Sequence, residues 1–169
     1  MANLVLLHKT ILNRVEDLAS FIIKLKKPEP AIVTLTSGGI VFAADLIRTL
    51  ANRNVSAFPF EALAPDLNFS KQVHKKIGNH KRILVIDDIF DTGEQLKTAK
   101  LALADDYEVL LATLLVKKGS RPAQNLQWHG FTIPDVWVYG YGMDDTNGFN
   151  RALLDVVTED KLPKDYIAP

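Results

Sequence analysis

The stretch that decides the reading of this chain is Ile83-Leu84-Val85-Ile86-Asp87-Asp88-Ile89-Phe90-Asp91-Thr92-Gly93-Glu94-Gln95. Four large apolar residues in succession suit a strand covered on both faces, because a strand with one wet face would alternate. Two adjacent carboxylates at the end of such a strand are costly to desolvate unless something pairs with them. Ribose hydroxyls or a hydrated Mg²⁺ fit that need, since the ion favours hard oxygen ligands. Gly93 then separates the strand from a helix starting near Glu94 and containing Leu96, Ala99, Leu101 and Leu103. Free amides and the positive dipole end of a helix starting there form a cradle for phosphate. Acids for sugar or metal beside amides for phosphate point to a sugar phosphate. The plainer alternative is that the acids only cap the helix or face solvent.

Working outward, the same alternation continues on both sides. Ile11, Val15, Leu18, Ile22 and Leu25 recur at helical spacing after Thr10, a candidate cap, and Lys26-Lys27-Pro28-Glu29-Pro30 ends that helix. Ala31–Leu35 predicts a strand closed by Thr36-Ser37-Gly38-Gly39, and 40–50 predicts a helix with Phe42, Leu46 and Leu50 on one face. Val55–Phe60 predicts a second strand, whereas residues 61–80 show no clean period of either kind. Beyond the decisive stretch, Val109–Val116 and Val136–Tyr139 predict two more strands. Strands alternating with helices imply right-handed crossovers and a mostly parallel sheet covered on both faces. The expected fold class is α/β, a single doubly wound domain over residues 1–169. Ligands in such folds sit beyond the carboxyl ends of the strands.

Composition narrows the classes of partner. The 169 residues carry 20 Lys+Arg against 20 Asp+Glu, so the formal net charge is zero. A nucleic-acid binder relies on surplus cations to displace counterions, and no surplus exists here. With no cysteine there is no disulfide, thiolate metal site or cysteine nucleophile. The first residues lack the cationic flank and long apolar run of a secretory signal. No apolar run approaches the ~18 residues of a membrane span. The expected address is the cytoplasm, with neither membrane nor nucleic acid as a partner.

Ile83–Gln95 resembles the phosphoribosyl-diphosphate signature of the type I phosphoribosyltransferases. Receiver domains also open on an apolar strand ending in two acids. However, only 82 residues follow Asp87, and Asp91-Thr92-Gly93 is not expected there. Four further stretches resemble the hypoxanthine-guanine (6-oxopurine) branch. Ser37–Leu46 is similar to its diphosphate loop and following helix. Leu114–Lys117, then Gly130–Asp135 and Tyr139–Asp144, are similar to its purine-binding end.

The resemblance implies transfer of a 5-phosphoribosyl group to N9 of a 6-oxopurine, hypoxanthine or guanine with xanthine as a further candidate. It implies Mg²⁺ as cofactor, a homodimer or homotetramer, and a small hood from about residues 1–10 and 128–169. It implies that Asp87 and Asp88 face the ribose and hold Mg²⁺ together with Asp144, and that Asp91 is the general base or proton relay near purine N7. Thr92, Gly93, Glu94 and Gln95 match the 5′-phosphate loop, where Glu94 and Gln95 depart from the usual series. Thr36, Ser37 and Gly38 match the diphosphate loop, whose Thr36–Ser37 peptide can be cis. Ser37 stands where many relatives have lysine, leaving Arg151 as the protein's cation for diphosphate. Lys117 matches the donor to O6, Trp137 an aromatic stacked on the base, and Val138 and Asp144 the backbone that reads it. Tyr141 and Phe149 are expected to be hood packing. Between Phe60 and Ile83 there is no Ser-Tyr lid. That departure fits an alternative, a non-catalytic or regulatory protein of this fold that binds nucleotide or phosphoribosyl diphosphate.

Overall fold

The computed structural model describes residues 2–25, 29–55, 59–120 and 126–169. Five parallel strands form the main sheet: β2 (Ala31–Leu35), β3 (Phe60–Leu63), β4 (Arg82–Phe90), β5 (Glu108–Lys117) and β6 (Leu126–Ile133), in the order β3-β2-β4-β5-β6. A second, two-stranded antiparallel sheet joins β1 (Asn3–Leu6) to β7 (Val156–Thr158). The helices are α1 (His8–Lys24), α2 (Gly39–Asn52), α3 (Phe69–Ile77) and α4 (Glu94–Leu103).

Burial explains why these elements form where they do. In β2 all five residues are buried, and β5 is buried from Val109 to Lys117, as strands covered on both faces must be. One core packs Ile11, Val15, Leu18 and Ile22 of α1 with Phe42 and Leu46 of α2 against Ile32, Leu84 and Ala112 of the sheet. The opposite face buries Phe69, Val73 and Ile77 of α3 and Leu96, Ala99 and Leu103 of α4 against Val33, Val85 and Leu111. The chain steps from β2 outward to β3, then returns to place β4 on the other side of β2. The order therefore reverses between β2 and β4, which is where open α/β sheets bind ligands.

Several expectations need correction. Thr10 lies inside α1, which starts after Leu7; the amide of His8 donates to Asp155 Oδ1 (2.7 Å) and Thr10 Oγ1 to the Pro169 carbonyl (3.1 Å). The second strand lies at Phe60–Leu63 rather than at 55–60. Its register runs from Ile32↔Phe60 to Leu35↔Leu63, and the Ile32 amide donates to the Pro59 carbonyl (2.8 Å). Ser56, Ala57 and Phe58 lie outside the described residues. Residues 69–77, read as irregular, form α3. No strand runs from Val136 to Tyr139: Val136 closes a turn onto the Pro134 carbonyl (2.9 Å), the amide of Trp137 donates to Asp160 Oδ2 (2.8 Å), and only Tyr139 bridges to Val157. Residues 128–133, assigned to the hood, belong to the main sheet as part of β6, with Phe131 and Ile133 buried in the first core. Phe149 is 69 % exposed and is therefore not packing, whereas Tyr141 is 1 % exposed and is.

Candidate active site

A cavity of about 380 Å³ opens at the carboxyl ends of β2 and β4. From the β2 side it is walled by Thr36, Ser37 and Gly38, and from the β4 side by Asp87, Asp88 and Asp91. Lys117 at the end of β5 and Trp137, Val138, Met143, Asp144 and Arg151 of the C-terminal segment complete it. Every residue expected to bind diphosphate or purine thus reaches one space, although these residues span more than half the chain. Ile89 and Met143 also line it and had not been anticipated. An apolar residue carries no chemical signature in a sequence, and only the fold shows which way it points.

The acids sit deeper than their sequence position implied. Strand β4 continues through them to Phe90, with Asp87 opposite Thr113 and Ile89 opposite Leu115 of β5. Asp87 and Asp88 are 6 % and 8 % exposed. Asp87 Oδ1 accepts the amide of Asp88 (3.0 Å), and Asp88 Oδ1 accepts the amide of Ile89 (3.0 Å). Burial, reinforced by the negative charge of Asp88, pushes the Asp87 carboxyl well above its ordinary range. Burial also raises Asp88, against hydrogen bonds and the Arg151 guanidinium that favour its charged form. Such carboxylates call for a cation or hydroxyls that arrive with a ligand. Gly38 faces them at close range. A Cβ there would lie 1.9 Å from Asp88 Oδ2, so a side chain at this position would displace the Asp88 carboxylate. The adjacent Thr36–Ser37 peptide is cis.

A second recess of about 110 Å³ lies against Asp91, Thr92, Gly93, Glu94 and Gln95, where the chain turns into α4. Thr92 Oγ1 accepts the amide of Glu94 (3.4 Å). The Glu94 carboxylate lies 3.8 Å from Lys97 on the exposed face of the helix.

On the purine side, Lys117 Nζ donates to Asp91 Oδ2 (2.8 Å) and lies 3.6 Å from Asp135 Oδ1. Asp135, at the end of the Gly130–Asp135 stretch, is thus the second carboxylate on this lysine. Trp137 is half exposed in the cavity wall, and its carbonyl accepts from Thr158 Oγ1. Arg151 donates from Nη2 to Asp144 Oδ2 (2.7 Å) and from Nη1 to the Gly142 carbonyl (2.8 Å). Asp145 has a structural role: it accepts from the amides of Asn147 and Phe149 and from Asn150 Nδ2. Those bonds, the Phe149 amide foremost, hold its carboxyl below the usual range.

Asp144 is paired with Arg151, and among the described residues no three His, Cys, Asp or Glu side chains are grouped to hold a metal. Asp87 and Asp88 line the cavity, and one oxygen of each accepts a backbone amide. Two carboxylates are enough for Mg²⁺ that keeps its waters and rides on substrate oxygens.

A parallel sheet whose switch point joins a glycine loop, a buried acid pair and a phosphate-sized turn defines a nucleotide- or sugar-phosphate-handling α/β protein. The phosphoribosyl transferase domain model matches residues 4–146, and the chain belongs to that family. It is 32% identical over 162 residues to the hypoxanthine-guanine phosphoribosyltransferase of Rattus norvegicus, covering 84% of this chain and 74% of the relative. It is 30% identical over 131 residues to the hypoxanthine phosphoribosyltransferase of Buchnera aphidicola, covering 72% of this chain and 73% of the relative. The fold matches that of the Leishmania tarentolae HGPRT-ase solved with GMP at a TM-score of 0.77 and 22% identity, over 95% of this chain and 98% of that one.

Proposed function

We propose that this chain transfers the 5-phosphoribosyl group of phosphoribosyl diphosphate to N9 of a 6-oxopurine, releasing diphosphate. The observation that carries the reading is the Lys117–Asp91 pair. Atoms O6 and N7 lie next to each other on one edge of the purine. A lysine donor 2.8 Å from a carboxylate acceptor therefore matches a carbonyl oxygen beside an N7–H. Adenine presents a donor where Lys117 also donates, so the same pair disfavours it.

The chemistry follows from these positions. Trp137 and Val138 hold the ring in the cavity, and Lys117 donates to O6. The N9 lone pair forms the new bond to C1′ as the C1′–O bond breaks and the diphosphate departs with its electrons. Asp91 accepts the N7 proton as N9 bonds to C1′, so positive charge does not accumulate on the ring. The transition state has oxocarbenium character, and the Asp87 and Asp88 carboxylates beneath the ribose favour that positive charge. The amides at the start of α4 take the 5′-phosphate. Arg151 and the Thr36–Gly38 loop take the diphosphate. When bound with the substrate, Mg²⁺ held by Asp87 and Asp88 would neutralise the anionic leaving group. The reading includes a cytoplasmic address, action of residues 1–169 as one domain, and a homodimer or homotetramer.

The deciding experiment mixes the protein, Mg²⁺, phosphoribosyl diphosphate and each base separately, and follows nucleoside monophosphate. Formation with hypoxanthine or guanine but not adenine is expected. Absence of product with every 6-oxopurine would overturn the proposal.

A further inference from the structure

Tyr141 sits midway between Val138 and Asp144 in the segment that lines the purine side of the cavity. Its side chain leaves that cavity and runs inward, 1 % exposed, to donate from its hydroxyl to Asp45 Oδ2 at 2.7 Å. Asp45 lies on α2, the helix that begins directly after the diphosphate loop, and its other oxygen is held by Arg48. Tyr141 also adopts φ 49°, in the left-handed region that bulky residues avoid. Such a conformation persists only where its surroundings over-determine it.

A second contact joins the same two segments one residue away. A Cβ on Gly142 would lie 2.1 Å from the Gly38 carbonyl oxygen, so the two backbones touch. The tyrosine and the glycine thus fix one loop to the other at successive residues.

We infer that the Tyr141–Asp45 hydrogen bond is a positioning tether that holds the base-reading segment in register with the helix behind the diphosphate loop. The inference rests on the phosphoribosyl-transfer reading, because it presumes that the two loops hold the two substrates. Tyr141 is a positioning residue that never touches the purine, and Asp45 is its anchor. A buried hydrogen bond to a charged acceptor is the stronger kind, and its loss frees a loop whose placement sets the base's approach to C1′.

The test compares Tyr141→Phe with Asp45→Asn. The first removes one oxygen and keeps the ring; the second keeps an acceptor for the tyrosine hydroxyl. Tyr141→Phe should raise the KM for the purine about tenfold, the effect of losing one strong hydrogen bond. Its kcat at saturation should stay within about twofold, while Asp45→Asn stays near wild-type KM. A merely structural bond would lower the melting temperature of Tyr141→Phe with KM unchanged, and that result overturns the inference.

Amide exchange supplies a readout independent of turnover. Saturating inorganic diphosphate should slow exchange at residues 139–145 in the wild-type protein and fail to do so in Tyr141→Phe. Absence of slowing in the wild type also overturns the tether. If the wild-type protein makes no nucleotide from any 6-oxopurine, the functional reading falls. The exchange comparison then still decides whether the two loops are coupled.

Discussion

Lys117 Nζ lies 2.8 Å from Asp91 Oδ2, so without substrate the proposed O6 donor and the proposed proton acceptor neutralise each other. Lys117 is 9 % exposed, whereas the Asp91 side chain is half open to solvent. The lysine is therefore the fixed member and the carboxylate the adjustable one. On the proposed reading, a purine entering between Trp137 and this pair would find a donor and an acceptor already spaced for its O6–N7 edge. Asp91→Asn keeps the shape and a hydrogen bond to Lys117 but cannot take a proton. Turnover should fall by about 10²–10⁴, the usual contribution of a positioned acid–base group. Steady-state kinetics beside a melting curve checks this, and unchanged kcat would remove Asp91 from the chemistry.

Lys117→Met preserves the buried aliphatic stem and removes the ammonium. The carboxylates of Asp91 and Asp135 are both more than half exposed and can be solvated when it goes, so the fold should survive. The KM for hypoxanthine and guanine should rise about 10–100-fold, as expected for losing a hydrogen bond from a charged donor. Discrimination against adenine should shrink at the same time, because the repelling donor is gone. Parallel assays with the three bases check both halves. A uniform rise for all three would show that Lys117 does not read O6.

The sequence made the centre of this molecule legible and its margins less so. Ile83–Ile86 reads as a buried strand because four apolar side chains in a row leave few other solutions. That β4 continues through Asp87 and Asp88 was not legible. Two acids look like a stop, and only pairing with a β5 that runs to Lys117 carries the ladder past them. Helix α3 left a trace in Phe69, Val73 and Ile77 at four-residue spacing, masked by the lysines and histidines between them. The cavity residues were legible as types in known blocks, but the partners that hold them were not. Asp160 receives the Trp137 amide across 23 residues, and Asp45 anchors Tyr141 across 96. No local pattern specifies such pairs. The pairing of Asp144 with Arg151 is likewise set by the fold and not by a local pattern.

Asp87 is held protonated by burial far more than a free carboxyl, so the folded free protein keeps a proton that the unfolded chain loses. Between the ordinary carboxylate range and that raised value the native state binds more protons than the unfolded one. The stability of the free protein therefore falls as pH rises through this window. Asp87→Asn keeps an oxygen for the Asp88 amide and removes the titration. It should flatten the decline and raise the melting temperature by a few degrees near neutrality, since about 1 kcal/mol is worth ~2–4 °C in a chain of this size. Turnover should drop together with the gain in stability. Melting temperature across pH, with and without the substitution, checks the claim; identical slopes would contradict it. Asp88, raised by the same burial, should leave part of the slope behind.

Trp137 offers the cleanest separation of binding from folding. Its side chain is half exposed, while its backbone is pinned at both polar groups: the amide to Asp160 Oδ2 and the carbonyl to Thr158 Oγ1. Replacing the side chain should therefore leave the loop in place. Trp137→Ala should raise the KM for the purine about tenfold or more, because stacking a base on an aromatic face is worth ~1–3 kcal/mol. Trp137→Phe, which keeps a smaller π face, should recover most of that loss. Both variants should melt within a few degrees of wild type, since little apolar area is withdrawn from the core. Kinetics with the base varied at saturating phosphoribosyl diphosphate gives the comparison. If alanine lowers stability sharply and leaves KM alone, the indole belongs to the hood's packing rather than to the purine.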